Sequence, residues 1–205
     1  MKGVIVVGNN LDVSLARKEC EDAFVIGADK GALYCYKNGI PMDIAVGDFD
    51  SLSEEERTRA CSFAKKTVRL NPIKDDTDTA HALSLLDDYE EITILGGIQG
   101  KRIEHFLAIL DLLANDNRVS LKDNNSSINV LLPGEYLLEK YPYKFFSIFA
   151  IEDSVVSLEG FAYPLNNFTL KRLNPLGVSN QIKGECGHII LKSGKLLLIC
   201  SKPDS

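Results

Sequence analysis

Val46-Gly47-Asp48-Phe49-Asp50-Ser51 follows directly on the apolar run Ile44-Ala45-Val46, so two carboxylates stand where a buried strand ends. Ser53 and Glu56 then have the spacing of a capping box, which places a helix immediately after. In extended chain, side chains two apart point the same way, so Asp48 and Asp50 are expected to reach one point from one side. That arrangement suits a hard cation. Mg2+ is held by one or two protein carboxylates together with phosphate oxygens and water, and open α/β sheets bind ligands beyond the carboxyl ends of their strands. An ordinary acidic loop accounts for Asp48 and Asp50 equally well, and the remainder of the chain has to separate the two readings.

The pattern around this stretch is strand and helix in alternation. Val4-Ile5-Val6-Val7 reads as a first buried strand leading into Gly8-Asn9-Asn10, and Ala23-Phe24-Val25-Ile26 repeats it ahead of Gly27-Ala28-Asp29-Lys30-Gly31. A short helix closed by Asn38-Gly39 and Pro41 follows, then the central strand, a helix over about 53–65 and a strand at Thr67-Val68-Arg69-Leu70. Asn71-Pro72-Ile73-Lys74-Asp75-Asp76-Thr77-Asp78 is a second acidic loop, with Asp76 or Thr77 placed to cap the next helix. Capping explains one of these acids; it does not explain three beside a lysine. Ile92-Thr93-Ile94-Leu95 is a further strand. Gly96-Gly97-Ile98-Gln99-Gly100-Lys101-Arg102 then enters a helix whose inner face is expected at Ile103, Phe106, Leu107, Leu110 and Leu113. Strand, glycine-rich turn and helix bring backbone amides close to phosphates, although these glycines match neither the dinucleotide fingerprint nor the Walker loop, and a plain tight turn remains open.

After the polar stretch Asp123-Asn124-Asn125-Ser126-Ser127 the rhythm changes. Strand-like runs at 128–132, 145–151, 155–158, 168–170, 188–191 and 196–200 are separated by turn residues without long helices, as in an antiparallel sandwich. The boundary falls near Asn124, giving 1–124 as an α/β domain with an open parallel sheet and 125–205 as a smaller C-terminal antiparallel β-sandwich. Charge divides the same way: residues 1–124 hold 15 Lys and Arg against 22 Asp and Glu, and residues 125–205 hold 8 against 7. An acidic first part argues against a nucleic-acid partner, whose phosphates demand clustered Lys and Arg.

The 205 residues are 45% hydrophobic and 25% charged, ordinary values for a globular protein with a real core. No apolar run is long enough to span a bilayer, and Met1-Lys2-Gly3-Val4 enters a strand without a signal peptide, so a cytoplasmic protein without a membrane partner is expected. The five cysteines contain no Cys-x-x-Cys pair, which points to reduced, mostly buried thiols.

Six stretches in this order and spacing resemble the thiamin pyrophosphokinase family: Ala28-Asp29-Lys30-Gly31-Ala32, Gly39-Ile40-Pro41, Gly47-Asp48-Phe49-Asp50-Ser51, Lys74-Asp75-Asp76-Thr77-Asp78, Arg102-Ile103-Glu104-His105 and Gly177-Val178-Ser179-Asn180. The resemblance implies an α/β nucleotide-binding domain, a C-terminal sandwich, a homodimer, and transfer of a pyrophosphoryl group from ATP to thiamine with AMP released. It further implies Mg2+ on Asp48, Asp50 and Asp78, and nucleotide contacts from Asp29, Ser51, Lys74, Asp75, Thr77, Arg102 and His105. Arg102 would also serve catalysis, Asp50 or Asp78 would take the hydroxyl proton, and Ser179 and Asn180 would hold thiamine. The chain departs from the family pattern at Lys30, Lys101, Glu104 and Gln181, and it has no Trp.

Two other classes stay open at this point. Asp48-Phe49-Asp50 also resembles the nucleophile and acid of haloacid dehalogenase-type phosphatases, against which stand the preceding strand order and the lack of an obvious Thr. The other is a nucleotide-binding module without catalysis, against which stands the full set of acids.

Overall fold

The computed structural model describes residues 1–8, 10–71, 77–99 and 102–203. Its chain divides into two compact units, Met1–Leu112 with Arg118–Asn124 and Leu113–Asn117 with Asn125–Ser205.

The first unit is a six-stranded parallel sheet with helical crossovers. Its elements are β1 (Lys2–Val6), α1 (Val13–Cys20), β2 (Phe24–Ala28), α2 (Lys30–Asn38), β3 (Ile44–Gly47), α3 (Glu54–Phe63), β4 (Lys66–Arg69), α4 (Asp78–Ser84), β5 (Glu91–Leu95), α5 (Ile103–Asn115) and β6 (Val119–Lys122). The strand order is β6-β5-β1-β2-β3-β4, every pairing is parallel, and the order reverses direction at β1 and β5. Val4, Ile5 and Val6 are fully buried because helices cover both faces of a parallel sheet, which is why the run is apolar throughout and does not alternate.

Local signals set the helix ends. Ser53 accepts from the Glu56 backbone while Glu56 reaches back to the Ser53 backbone, completing the expected capping box of α3. Gly39 stops α2 in the left-handed conformation, φ 62°, with its N–H returned to Cys35 and Tyr36. Helix α1 and strand β6 have no counterpart in the sequence reading. Helix α5 differs too: its buried stripe runs through Phe106, Ile109, Leu110 and Leu113, whereas Ile103 and Leu107 are 66% and 54% exposed. Leu107 stands one residue, about 100°, round the helix from Phe106 and so falls off that stripe.

An ionic clasp ties three elements of this unit. Glu19 of α1 receives Lys122 of β6 and, at 3.4 Å, Lys2 of β1, with all three side chains largely shielded. Burial opposes ionisation of Glu19, but the hydrogen bond and charge of Lys122, aided by Lys2, outweigh it and hold the carboxyl below its usual range. A depressed folded-state value means that the stabilisation is present above the unfolded value and is lost as pH falls through the folded one. Glu19→Gln should therefore lower the unfolding midpoint at pH 7 and lower it progressively less as the pH falls below the ordinary carboxylate range; a loss that does not change with pH, followed by circular dichroism, would refute the clasp.

The second unit is antiparallel. It comprises β7 (Ser126–Leu131), β8 (Gly134–Glu139), β9 (Phe145–Glu159), β10 (Leu165–Leu170), a 3-10 turn at Pro175–Gly177 and β11 (Cys186–Ser201). Strand β11 pairs with β8 through its first half and β7 through its second, while β9 follows it along both. The runs expected as four separate strands at 145–158 and 188–200 are thus two long ones. Register shifts between Leu191 and Leu196 bend the pair, with Gly194 at φ 86° where a Cβ would stand 2.3 Å from Ser154 Oγ. The fully buried Ser154 hydroxyl donates to Glu152 O at 2.6 Å and accepts from Lys195 N at 3.0 Å, satisfying the backbone at the bend. Inward residues of both halves, including Phe146, Leu158, Ile189 and Leu198, form one core.

The five cysteines are free thiols; Cys35 and Cys200 are buried, whereas Cys186 is exposed. Among the described residues no helix is long and apolar enough to cross a membrane.

Candidate active site

Strand β2 delivers Asp29 and strand β3 delivers Asp48 to the same end of the parallel sheet. Asp29 N donates to Val46 O at 3.0 Å, and Asp29 Oδ1 accepts from Phe49 N at 3.2 Å, so the carboxylate is stitched to the loop after β3. Gly47 makes the approach possible: a Cβ there would stand 2.3 Å from Asp29 Oδ1, at a φ of 148°. Asp29 itself sits at φ 47° and Phe49 at φ 59°, both in the region L side chains rarely adopt. Phe49 is held there by burial of its ring, which is 1% exposed.

This backbone corrects the extended geometry expected for Asp48-Phe49-Asp50. The strand ends at Gly47, Phe49 turns the chain left-handed, and Asp48 Oδ1 accepts from Asp50 N at 3.0 Å. The two acids therefore flank a turn instead of lining one side of a strand, with Asp48 half-buried and Asp50 exposed.

A third acid arrives from α4. Thr77 caps that helix, its Oγ1 accepting from Ala80 N at 3.1 Å, which places Asp78 at the first helical position. The Asp78 side chain comes within interaction distance of Asp29. Burial first, then the charge and hydrogen bond of Asp78, push the Asp29 carboxyl up to about 7; the Phe49 N–H opposes the rise and Asp48 adds to it. Two carboxyl groups can hydrogen-bond only by sharing a proton, and a hard cation relieves the same repulsion. Among the described residues no three His, Cys, Asp or Glu side chains form a ready-made cage. Mg2+ is typically held through one or two carboxylates with substrate phosphates and water completing its shell, and Asp29 with Asp78 supplies such a pair. The donor set fits such an ion. Lys74 and Asp75 lie outside the described residues.

A cavity of about 620 Å³ opens beside these acids. It runs from Asp50 and Ser51 past Asp29 and Gly8 to Asp123, crossing the β1–β5 point at which the strand order reverses, where doubly wound sheets bind ligands. Gly96 and Gly97, at φ 87° and 88°, let the loop after β5 close on Gly8; a Cβ on Gly96 would lie 3.0 Å from the Gly8 backbone. A second cavity of about 360 Å³ shares Asp29, Arg102 and His105 with the first and adds Thr77, Asp78 and Glu104. Arg102 thus faces both. Its Nε donates to Glu104 Oε1 at 2.7 Å on an exposed surface, so Glu104 holds the guanidinium at the cavity mouth.

In the second unit Ser179 and Asn180 occupy different environments. Ser179 is exposed, at φ 57°, with its N–H on Ser147 Oγ at 2.9 Å. Asn180 is 5% exposed: its Oδ1 accepts from Tyr163 N at 3.0 Å and Gln181 N at 2.9 Å, and its Nδ2 donates to Tyr163 O at 2.8 Å. Its backbone pairs with Phe146 in both directions. The amide thus spends three hydrogen bonds on backbone groups, two on Tyr163 in the β9–β10 connection and one on Gln181. Asn180→Ala should cost about 2 kcal/mol, because buried N–H groups lose their acceptor. Denaturant unfolding checks this; an unchanged midpoint would show that the amide is dispensable to the loop.

The family model described as the thiamin pyrophosphokinase catalytic domain matches residues 16–122, and that described as the thiamin pyrophosphokinase vitamin B1 binding domain matches residues 135–196. The thiamine pyrophosphokinase of Bacillus subtilis is 33% identical over 207 residues, covering 96% of this chain and 97% of that one.

The chain belongs to the thiamin pyrophosphokinase family.

It is accordingly an enzyme, a thiamine diphosphokinase. A crystal structure of the Bacillus subtilis thiamine pyrophosphokinase superposes with a TM-score of 0.88 at 32% identity, and one of a thiamin pyrophosphokinase family protein from Enterococcus faecalis with 0.85 at 27%, each covering 100% of both chains. The mixed α/β fold is that of the thiamin pyrophosphokinases. Thiamine diphosphate formation is the activity of this family, and ATP and thiamine are its substrates. In this chain the acids Asp29 and Asp78 meet, Asp48 acts on Asp29 through its charge, and Asp50, Ser51, Arg102 and His105 line the adjoining cavities. Sequence reasoning passed over Asn10, Gln99 and Asp123, which line the larger cavity.

Proposed function

We propose that the chain transfers a pyrophosphoryl group from ATP to the primary hydroxyl of thiamine, giving thiamine diphosphate and AMP. The observation that carries this reading is the meeting of Asp29 and Asp78 beside a strand-end cavity that Arg102 faces, in a chain whose two halves match the two domains of the family. Asp48, Asp50 and Asp78 would hold Mg2+, with Asp29 and Asp75 close by. When bound, that ion neutralises phosphate charge and fixes the orientation of the triphosphate. The protein's own task is positioning and charge stabilisation, since pyrophosphoryl transfer asks little covalent chemistry of it. Ser51 and Thr77 donate to phosphate oxygens, Lys74 and Arg102 meet the negative charge, His105 borders the nucleotide, and Asp50 or Asp78 takes the hydroxyl proton. To grip phosphate with both arms of its fork, Arg102 exchanges Glu104 for the substrate.

In this reading residues 1–124 form the ATP- and Mg2+-binding domain and residues 125–205 a β-sandwich that binds thiamine. Ser179 presents its hydroxyl to thiamine while Asn180, its amide engaged by Tyr163 and Gln181, holds Ser179 in place. The working species is a cytosolic homodimer. Phosphorus NMR of ATP, Mg2+ and thiamine with the protein should show AMP and thiamine diphosphate appearing together; ADP or free phosphate as the product would overturn the reaction.

Arg102→Lys keeps the charge and loses the planar fork. It should lower kcat more than it raises the KM for thiamine, by roughly tenfold or more. Steady-state kinetics at saturating ATP decide this, and an effect confined to the thiamine KM would remove Arg102 from the phosphate site.

A further inference from the structure

We propose that Asp123 is a specificity-determining residue that accepts a hydrogen bond from the nucleoside end of the donor nucleotide; this rests on the reading of ATP as donor given above. Asp123 follows β6, is 8% exposed, and lines the larger cavity. Asp50 and Ser51, after β3, line its other end. The sheet order β6-β5-β1-β2-β3 separates these ends by four inter-strand steps. At roughly 4.8 Å a step the span is about 19 Å, the reach of a nucleotide laid across the strand ends and not of a single metal shell.

The charges orient that nucleotide. The acids after β2 and β3 suit a metal–triphosphate complex, and the phosphates therefore belong at their end. A buried carboxylate beside bare phosphate oxygens would be repelled, so Asp123 faces the uncharged part of the nucleotide, where hydroxyl and amine donors are found. A carboxylate offers four acceptor positions, enough to serve its loop and a ligand together. Its surroundings suit a nucleoside. Leu11 is buried at the wall, and the Asn10 and Gln99 amides hydrogen-bond at 3.4 Å on the same lining, placing donors and acceptors beside an apolar surface. Asn124 holds this corner by donating to Asn10 O at 3.1 Å and accepting from Asp12 N at 2.7 Å. The donor that Asp123 receives is a ribose hydroxyl or the exocyclic amine of the base, the same chemistry from two parts of one molecule.

The experiment compares kcat/KM for ATP, 2′-deoxy-ATP, 3′-deoxy-ATP and purine riboside triphosphate in the wild-type protein, Asp123→Ala and Asp123→Asn. Wild type should disfavour the analogue missing the recognised donor by about tenfold to a hundredfold, because a buried acceptor position then loses the ligand donor it is built to receive. Which analogue suffers identifies ribose or base. Asp123→Ala should abolish that discrimination, and Asp123→Asn, which keeps an acceptor oxygen without the charge, should retain part of it. The ratio between two nucleotides in one variant does not depend on how much of it is folded, and the asparagine variant supplies the comparison if alanine prevents folding. Discrimination preserved in both variants, or absent from wild type, overturns the assignment. A wild-type protein that makes no thiamine diphosphate from ATP overturns the donor reading and this one with it; an active wild type with unaltered discrimination in the variants overturns this one alone.

Discussion

Asp78→Asn should lower turnover on the order of a hundredfold or more while leaving the protein at least as stable as before. The two effects have one cause. In the folded chain Asp78 raises the Asp29 carboxyl by charge and by a hydrogen bond that needs a shared proton. An asparagine amide donates to Asp29 without that proton, so the repulsion between the two acids disappears. The same change removes a carboxylate from the proposed Mg2+ site and from the charge balance of the transferring phosphates. Activity at saturating Mg2+ and thermal unfolding, measured on one preparation, give both numbers. Near-normal turnover would take Asp78 out of the chemistry, and a large loss of stability would give it a mainly structural role in the first turn of α4.

Gly31→Ala should have the largest effect on folding. Gly31 lies in the first turn of α2, where a Cβ would stand 1.8 Å from the carbonyl oxygen of Val6 and 2.5 Å from its carbon. Those are backbone atoms of the central strand β1, fixed on one side by β2 and on the other by β5. No side chain can move aside to relieve the contact. Overpacking costs about 1–3 kcal/mol where neighbours can adjust, and a backbone collision belongs at the upper end or beyond it. A fall in the unfolding midpoint of roughly 10 °C is expected. Activity should fall with it, because α2 starts at Asp29 and cannot retreat from β1 without withdrawing that carboxylate. A variant that unfolds within about 2 °C of wild type would show that helix and strand can separate at little cost, contrary to the packing of this interface.

The acids were legible as residues but not as a group. Asp48 and Asp50 stand out because they follow an apolar strand, and Asp78 because more acids gather near it than a cap requires. Their arrangement was not legible. The alternation rule assumes extended backbone, whereas burial of the Phe49 ring and the approach of Asp29 at Gly47 force a left-handed turn between Asp48 and Asp50. Asp123 was lost for a different reason. Val119–Lys122 is too short, at four residues, to announce β6 by periodicity, so the acid that follows it read as part of a polar linker. Asn180 shows the converse case, since the sequence offers it as a loop residue and only the structure shows its amide buried and engaged by Tyr163 and Gln181.

Local chemistry, acting over a few residues, determined from sequence the alternating first part, the capping box at Ser53, the stop at Gly39 and the change of rhythm near Asn124. These depend on backbone propensity, capping geometry and hydrophobic period, none of which needs a distant partner. Tertiary structure alone decided which strands are neighbours, that 145–158 and 188–200 are each one bent strand, and that Asp29 and Asp78, 49 positions apart in the chain, share a hydrogen bond. Contacts of that kind follow from how the sheet orders its strands, and a pattern read along one chain carries no term for distance across it.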